Sequence, residues 1–71
     1  MNVANFPTRH RAVPAELDSV RLRVDVAAAG VTIPAGAEGV VVAVYADGTA
    51  CEVEFLEPAH AVVTVELSQL A

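Results

Sequence analysis

The sequence predicts an all-β domain: four or five short strands joined by tight turns, closing into a small barrel behind an irregular N-terminal arm. Three observations carry this expectation. Val20, Leu22, Val24 and Val26 alternate with Ser19, Arg21, Arg23 and Asp25, the period of two that a half-buried strand requires. Asp47-Gly48 separates two runs rich in β-branched residues, a strong short-range hairpin signal. A second alternation sets Val63, Val65 and Leu67 against Val62, Thr64 and Glu66.

Taken in order, residues 1–16 form the arm, with Pro7, Pro14, polar side chains and no periodicity, and residues 17–71 form the barrel. The first strand covers the Ser19–Val26 alternation, and a loop from Ala27 to Ala37 follows it. Within the loop, Ile33-Pro34-Ala35-Gly36 has turn chemistry, since Pro fixes φ and Gly is free to take φ > 0. A type I′ turn at Asp47-Gly48 would then set the register of the central hairpin. Ala46 faces Thr49, Val44 faces Cys51, Val42 faces Val53 and Val40 faces Phe55 on the inner side. Tyr45 faces Ala50, Ala43 faces Glu52 and Val41 faces Glu54 on the outer side. A slip of one residue would bury both glutamates, so they mark the solvent side of their strand. Leu56-Glu57-Pro58-Ala59-His60 breaks the pattern before the next strand, and Ser68-Gln69-Leu70 ends the domain with Leu70 turned inward. Closing the sheet would remove the exposed edges of a valine-rich ribbon.

A chain of 71 residues makes one domain. At that size only about 60% of the unfolded surface is buried, which leaves little interior for an enclosed active site. The composition is 55% hydrophobic and 4% aromatic, so the core is built from many small contacts, and the balance argues for a globular fold and against disorder. The longest uncharged run, from Val26 to Ala37, contains Gly30, Pro34 and Gly36 and falls short of the roughly 20 apolar residues of a membrane span. The first residues lack the apolar core of a secretory signal. Cys51 is the lone cysteine, so no intrachain disulfide forms and a cytoplasmic location is the default expectation.

Charge is distributed unevenly. The formal net charge is −5, and the basic residues Arg9, Arg11, Arg21 and Arg23 all precede Val24. Beyond that point stand Asp25, Glu38, Asp47, Glu52, Glu54, Glu57 and Glu66, with no Lys or Arg. Nucleic-acid binding needs a basic patch to meet phosphates, and only the Arg9-His10-Arg11 cluster could supply one, so no nucleic-acid partner is expected.

The segments "LDSVRLRVDV", "GVTIPAGAEGVVVAVYADGTACEVEF" and "VTVELSQL" resemble a family of short bacterial proteins, the domain of unknown function 4926 family, over roughly Leu17 to Leu70. The most specific elements are Gly36-x-x-Gly39-x-Val41, Val44-Tyr45-x-Asp47-Gly48 and Glu52-Val53-Glu54-Phe55. The resemblance implies a five-stranded SH3-like barrel. The same grammar of strand, glycine loop and hairpin occurs in KOW-type modules and in nitrile hydratase β-subunits. The sequence departs from the family in Ala37-Glu38, where an acidic residue more often follows the first Gly directly, and in its longer arm. The resemblance implies no activity, because fold does not determine function.

The chemistry-bearing residues point away from catalysis. Cys51 falls on the inner face, where a thiol is a small inert apolar group. His10 and His60 have no ligand spacing around them, so no metal and no cofactor is expected. The Gly36-x-x-Gly39 loop lacks the helix and Lys of a phosphate cradle and reads as turn geometry. Glu52 and Glu54 share one face, beside Arg21 and Arg23 on an expected neighbouring strand, with no pocket to shift their pKa values. What remains is the outer face, where Val41, Ala43, Tyr45, Ala50, Leu56 and Val62 stand beside Glu52, Glu54 and Glu66. Apolar surface bordered by like charge suits a partner. The expected function is that of a small non-enzymatic barrel binding another protein, or a second copy of the chain, through Val41, Tyr45, Glu52, Glu54 and Glu66. Such a barrel could serve as an immunity or antitoxin-like protein or as an accessory module. A nitrile-hydratase-β-like accessory subunit is the alternative, and a KOW-like nucleic-acid module ranks last on charge.

Overall fold

In the computed structural model, which describes residues 14–71, strands form two separate sheets. The larger is antiparallel with order β1-β4-β5-β6: β1 is Ser19–Arg21, β4 Glu38–Val44, β5 Ala50–Phe55 and β6 Ala61–Glu66. The smaller pairs β2, Val26–Ala28, with β3, Val31–Ile33. A 3₁₀ turn at Leu67–Gln69 follows β6. The described residues are thus all-β, and the sheets do not join into the closed barrel expected from the sequence. The residues after β6 nevertheless return to the end of β1. Leu70 bridges Leu22, the Arg23 amide donates to the Gln69 carbonyl at 2.7 Å, and the Ala71 amide donates to the Arg21 carbonyl at 2.8 Å. Leu70 packs against the core, as the sequence predicts.

The first alternation is broken. Val20, Leu22 and Val26 turn inward, but Val24 is exposed and residues 23–25 leave the strand. One expected strand is therefore two short ones, because the chain must leave β4 to cross to β3. Asp25 fixes this corner: its Oδ1 accepts the Ala35 amide at 2.8 Å. The expected loop from Ala27 to Ala37 contains a hairpin of its own. Ala28 pairs with Val31, leaving Ala29-Gly30 as a two-residue turn with φ 51° and 80°. Positive φ at both central residues is the signature of a type I′ turn. Pro34–Ala37 forms the next turn, closed by the Ala37 amide on the Pro34 carbonyl at 3.0 Å, with Gly36 at φ 90° in the position where a type II turn demands it.

The central hairpin corrects the predicted register. Val44 pairs with Cys51 and Ala43 with Glu52, as expected. Beyond Ala43 the register shifts, so that Val41 pairs with Val53 and Val40 with Glu54, leaving Val42 as the extra residue of a β-bulge. Val41, expected outward, is fully buried, while Val40 and Val42, expected inward, are exposed. Gly39 explains the phase. A Cβ there would stand 2.6 Å from Val53 Cγ1, 2.8 Å from the Glu54 carbonyl oxygen and 2.9 Å from Phe55 Cδ1, so only glycine fits against β5 at this inward position. With Gly39 inward, Val41 must follow, and a bulge at Val42 is needed before Val44 can pack inward as well. Gly39 thus serves close packing and not the turn expected of it.

The Asp47-Gly48 turn is also wider than a type I′ turn. The Gly48 amide donates to the Tyr45 carbonyl at 2.9 Å, the Tyr45 amide donates to the Ala50 carbonyl at 3.0 Å, and only Gly48 has positive φ, at 74°. Asp47 instead accepts from Thr49 at both its amide, 3.0 Å, and its hydroxyl, 2.9 Å, which holds the Asp47 carboxyl below its ordinary pKa. Between β5 and β6 the register runs unbroken from Ala50–Glu66 to Phe55–Ala61 across a five-residue loop that contains a cis Glu57-Pro58 bond. The core gathers Phe55, Leu22, Ile33, Val41, Val53, Val65 and Cys51. Phe55, its largest member, contributes about 1.5–3 kcal/mol by burial.

Candidate functional site on the outer sheet face

The pairing of β4, β5 and β6 lays the outward side chains in rows. Val40, Glu54 and Val62 form one row, and Ala43, Glu52 and Thr64 the next. Tyr45, just past the end of β4, extends over the second row. Its hydroxyl donates to Glu52 Oε2 at 2.6 Å and lies 3.5 Å from Thr64 Oγ1, which itself donates to Glu52 Oε2 at 2.6 Å. Two donors on one carboxylate oxygen favour the charged form. The Thr64 bond, then the Tyr45 bond, hold Glu52 below the ordinary glutamate value of 4.5. Glu52 is therefore an oriented anion, fixed in place before anything binds.

Glu54 is held differently, with its Oε2 2.7 Å from Nε2 of His60 in the loop that leads into β6. The two arginines expected beside these glutamates are elsewhere. β1 pairs with β4 and not with β5, so Arg21 donates to the Gly36 carbonyl at 2.8 Å and lies 3.7 Å from Glu38, while Arg23 holds the Ser68 carbonyl through Nε and Nη2. Both arginines tie down turns, and among the described residues neither Lys nor Arg lies on the acidic face.

Of the residues singled out in the sequence, Tyr45, Glu52, Glu54 and Glu66 lie on this face, with Glu66 exposed at the end of β6. Val41 does not, being in the core, and Ala50 is buried too. Val40 and Val42 take their place, with Leu56 and Val62 exposed as expected. Thr64 is a site residue that sequence reasoning missed. The signal for it was present: placing Pro58 at the centre of the loop pairs Glu52 with Thr64. Two open grooves flank the rows, one of about 350 Å³ lined by Val40, Glu54, Leu56 and Glu57, the other of about 690 Å³ lined by Tyr45, Ala50, Thr64 and Glu66.

Cys51 is buried, and that burial raises its thiol pKa, which keeps it unreactive. Among the described residues no three of His, Cys, Asp and Glu gather as metal ligands, and no helix is long and apolar enough to cross a membrane. His10 and the Arg9-His10-Arg11 cluster lie outside the described residues.

Residues 16–71 match the family model described as "Domain of unknown function (DUF4926)". Searches of curated proteins and of solved structures returned no match.

Proposed function

Since the chain belongs to the DUF4926 family, whose description carries no activity, we propose a function from the geometry alone: a small non-enzymatic domain that binds a basic protein partner through the outer face of β4, β5 and β6. The observation that carries the reading is the fixed anion beside apolar surface. Tyr45 and Thr64 orient Glu52 while Val40, Val42, Leu56 and Val62 remain exposed around it. A preorganised carboxylate binds an arginine or lysine with little further ordering cost, and tyrosine supplies contact area at low entropy loss. The scaffold reading is SH3-like. Its support is the order of strand, small hairpin, central hairpin, further strand and 3₁₀ turn, followed by Leu70, which bridges back to Leu22 just after β1. A role as an immunity-like or accessory protein in the cytoplasm fits the lone buried thiol and the acidic surface.

A partner recovered from the native host, titrated against variants, tests this reading. Tyr45→Ala should weaken the complex by about 1–2 kcal/mol while the domain stays folded. Reversing Glu52 and Glu54 to Lys should mainly slow association, an effect that salt reproduces. Parent-like binding by both variants would reject the face as the site.

A further inference from the structure

The two edges of the larger sheet are finished very differently. β1 is three residues long, and the chain end covers its exit through Leu70 and Ala71. β6 is six residues long, pairs with β5 alone, and among the described residues has no strand on its other side. Natural edges are blunted by lysine, proline, a bulge or shortness. β6 has none of these: Ala61, Val62, Val63, Thr64, Val65 and Glu66 run in unbroken register with β5 and end in a single charge. Such a strand is a template for main-chain pairing.

Charge identifies what pairs with it. Glu52 and Glu54 lie on the adjoining strand and Glu66 on β6 itself, with no Lys or Arg anywhere after Arg23. Two copies joined through β6 would place both sets of carboxylates on one continuous face, with each chain already at −5. That opposes self-pairing. Strands lie about 4.8 Å apart, so a strand added to β6 stands roughly 10 Å from β5, a span an extended arginine or lysine leaning across Val62 and Thr64 can cover. On the proposed binding face, and resting on that reading, we infer that the partner contributes an extended segment with basic residues at alternate positions, which adds to the sheet as a strand along β6. Its main chain pairs with Ala61–Glu66, its alternate cations meet Glu52 and Glu54, and its other side chains continue the rows of Val63 and Val65.

A capped peptide alternating arginine and valine, titrated into the isotope-labelled full chain and followed by amide NMR, tests the inference. The amides of Ala61–Glu66 should shift and exchange more slowly with solvent. Methylating the peptide nitrogens that face β6 should weaken binding about tenfold, while methylating the alternate nitrogens should not. Glu52→Gln with Glu54→Gln should cost about fivefold for this peptide and nothing for its glutamine-for-arginine analogue. If both methylated peptides bind alike and the shifts centre on Tyr45 and Glu52, the face stands and strand addition fails. Absence of any shift in β6 also overturns it. So does a β6 edge already protected in the free chain: protection that grows with protein concentration assigns it to a second copy, and protection that Arg9→Gln with Arg11→Gln removes assigns it to the chain's own N-terminal segment.

Discussion

Two of the described hairpins, the central one and the small one, have exchanged turn chemistry. The central one carries Asp47-Gly48, the dipeptide that favours a type I′ turn, yet five residues, 45–49, separate its strands and only Gly48 among them takes positive φ. The small one carries Ala29-Gly30, a poor sequence for that turn, yet both of its central residues have positive φ and its strands join through these two residues alone. The difference shows where the constraint lies. In the small hairpin, Val26 and Ile33 are both buried and the strands are three residues long, so the tertiary packing imposes the turn on an unwilling alanine. In the central hairpin, Asp47 finds a better use for its carboxylate on Thr49, and the register is decided further along, where Gly39 meets β5.

The largest expected effect follows from the bulge. Val41→Lys places an unpaired charge in the core and should leave the domain unfolded at room temperature, whereas Val42→Lys, one residue on and exposed, should melt within a few degrees of the parent. A hairpin without the bulge predicts the reverse order, so thermal melts of the two variants separate the two registers.

A smaller, opposite effect belongs to the small hairpin. Asparagine tolerates the left-handed region that costs alanine energy, so Ala29→Asn should stabilise the domain by about 0.5–1 kcal/mol. Asp47→Asn should give no such gain, because Asp47 is not left-handed and its carboxylate is already engaged. Denaturant midpoints measured side by side decide between one site and two.

The smallest effect concerns the end of the central hairpin, where Tyr45 and Thr64 meet Glu52. Glu52 has its folded pKa below the unfolded value, so its contribution to stability is present above about pH 4.5 and is lost as pH falls through the folded pKa. Thr64→Val should raise the Glu52 pKa. Its stability difference from the parent should then be largest near neutral pH and should shrink in acid, where Glu52 is protonated in both states. A difference that stays constant from neutral to acid pH would mean that the hydroxyl does not hold the carboxylate.

Much of this was legible in the sequence, and what was not has local causes. Val63 and Val65 against Val62 and Thr64 gave β6 its correct face, because a clean alternation leaves one choice of phase. Val40-Val41-Val42 has no alternation, so its phase was left to packing, and a clearance around Gly39 below 3 Å is not visible in a string of letters. The outward glutamates were legible for the same reason as β6, while Arg21 and Arg23 were misplaced because pairing order, β1 with β4, is a property of topology. Val41 left the candidate site and Val40 and Val42 entered it through that one bulge.

Cross-strand nuclear Overhauser contacts between β4 and β5 test the bulge directly. The structure predicts that Val41 faces Val53 and Val40 faces Glu54, with Val42 lacking a partner on β5. Contacts pairing Val42 with Val53 and Val40 with Phe55 would restore the uninterrupted hairpin, return Val41 to the outer face and contradict the bulge.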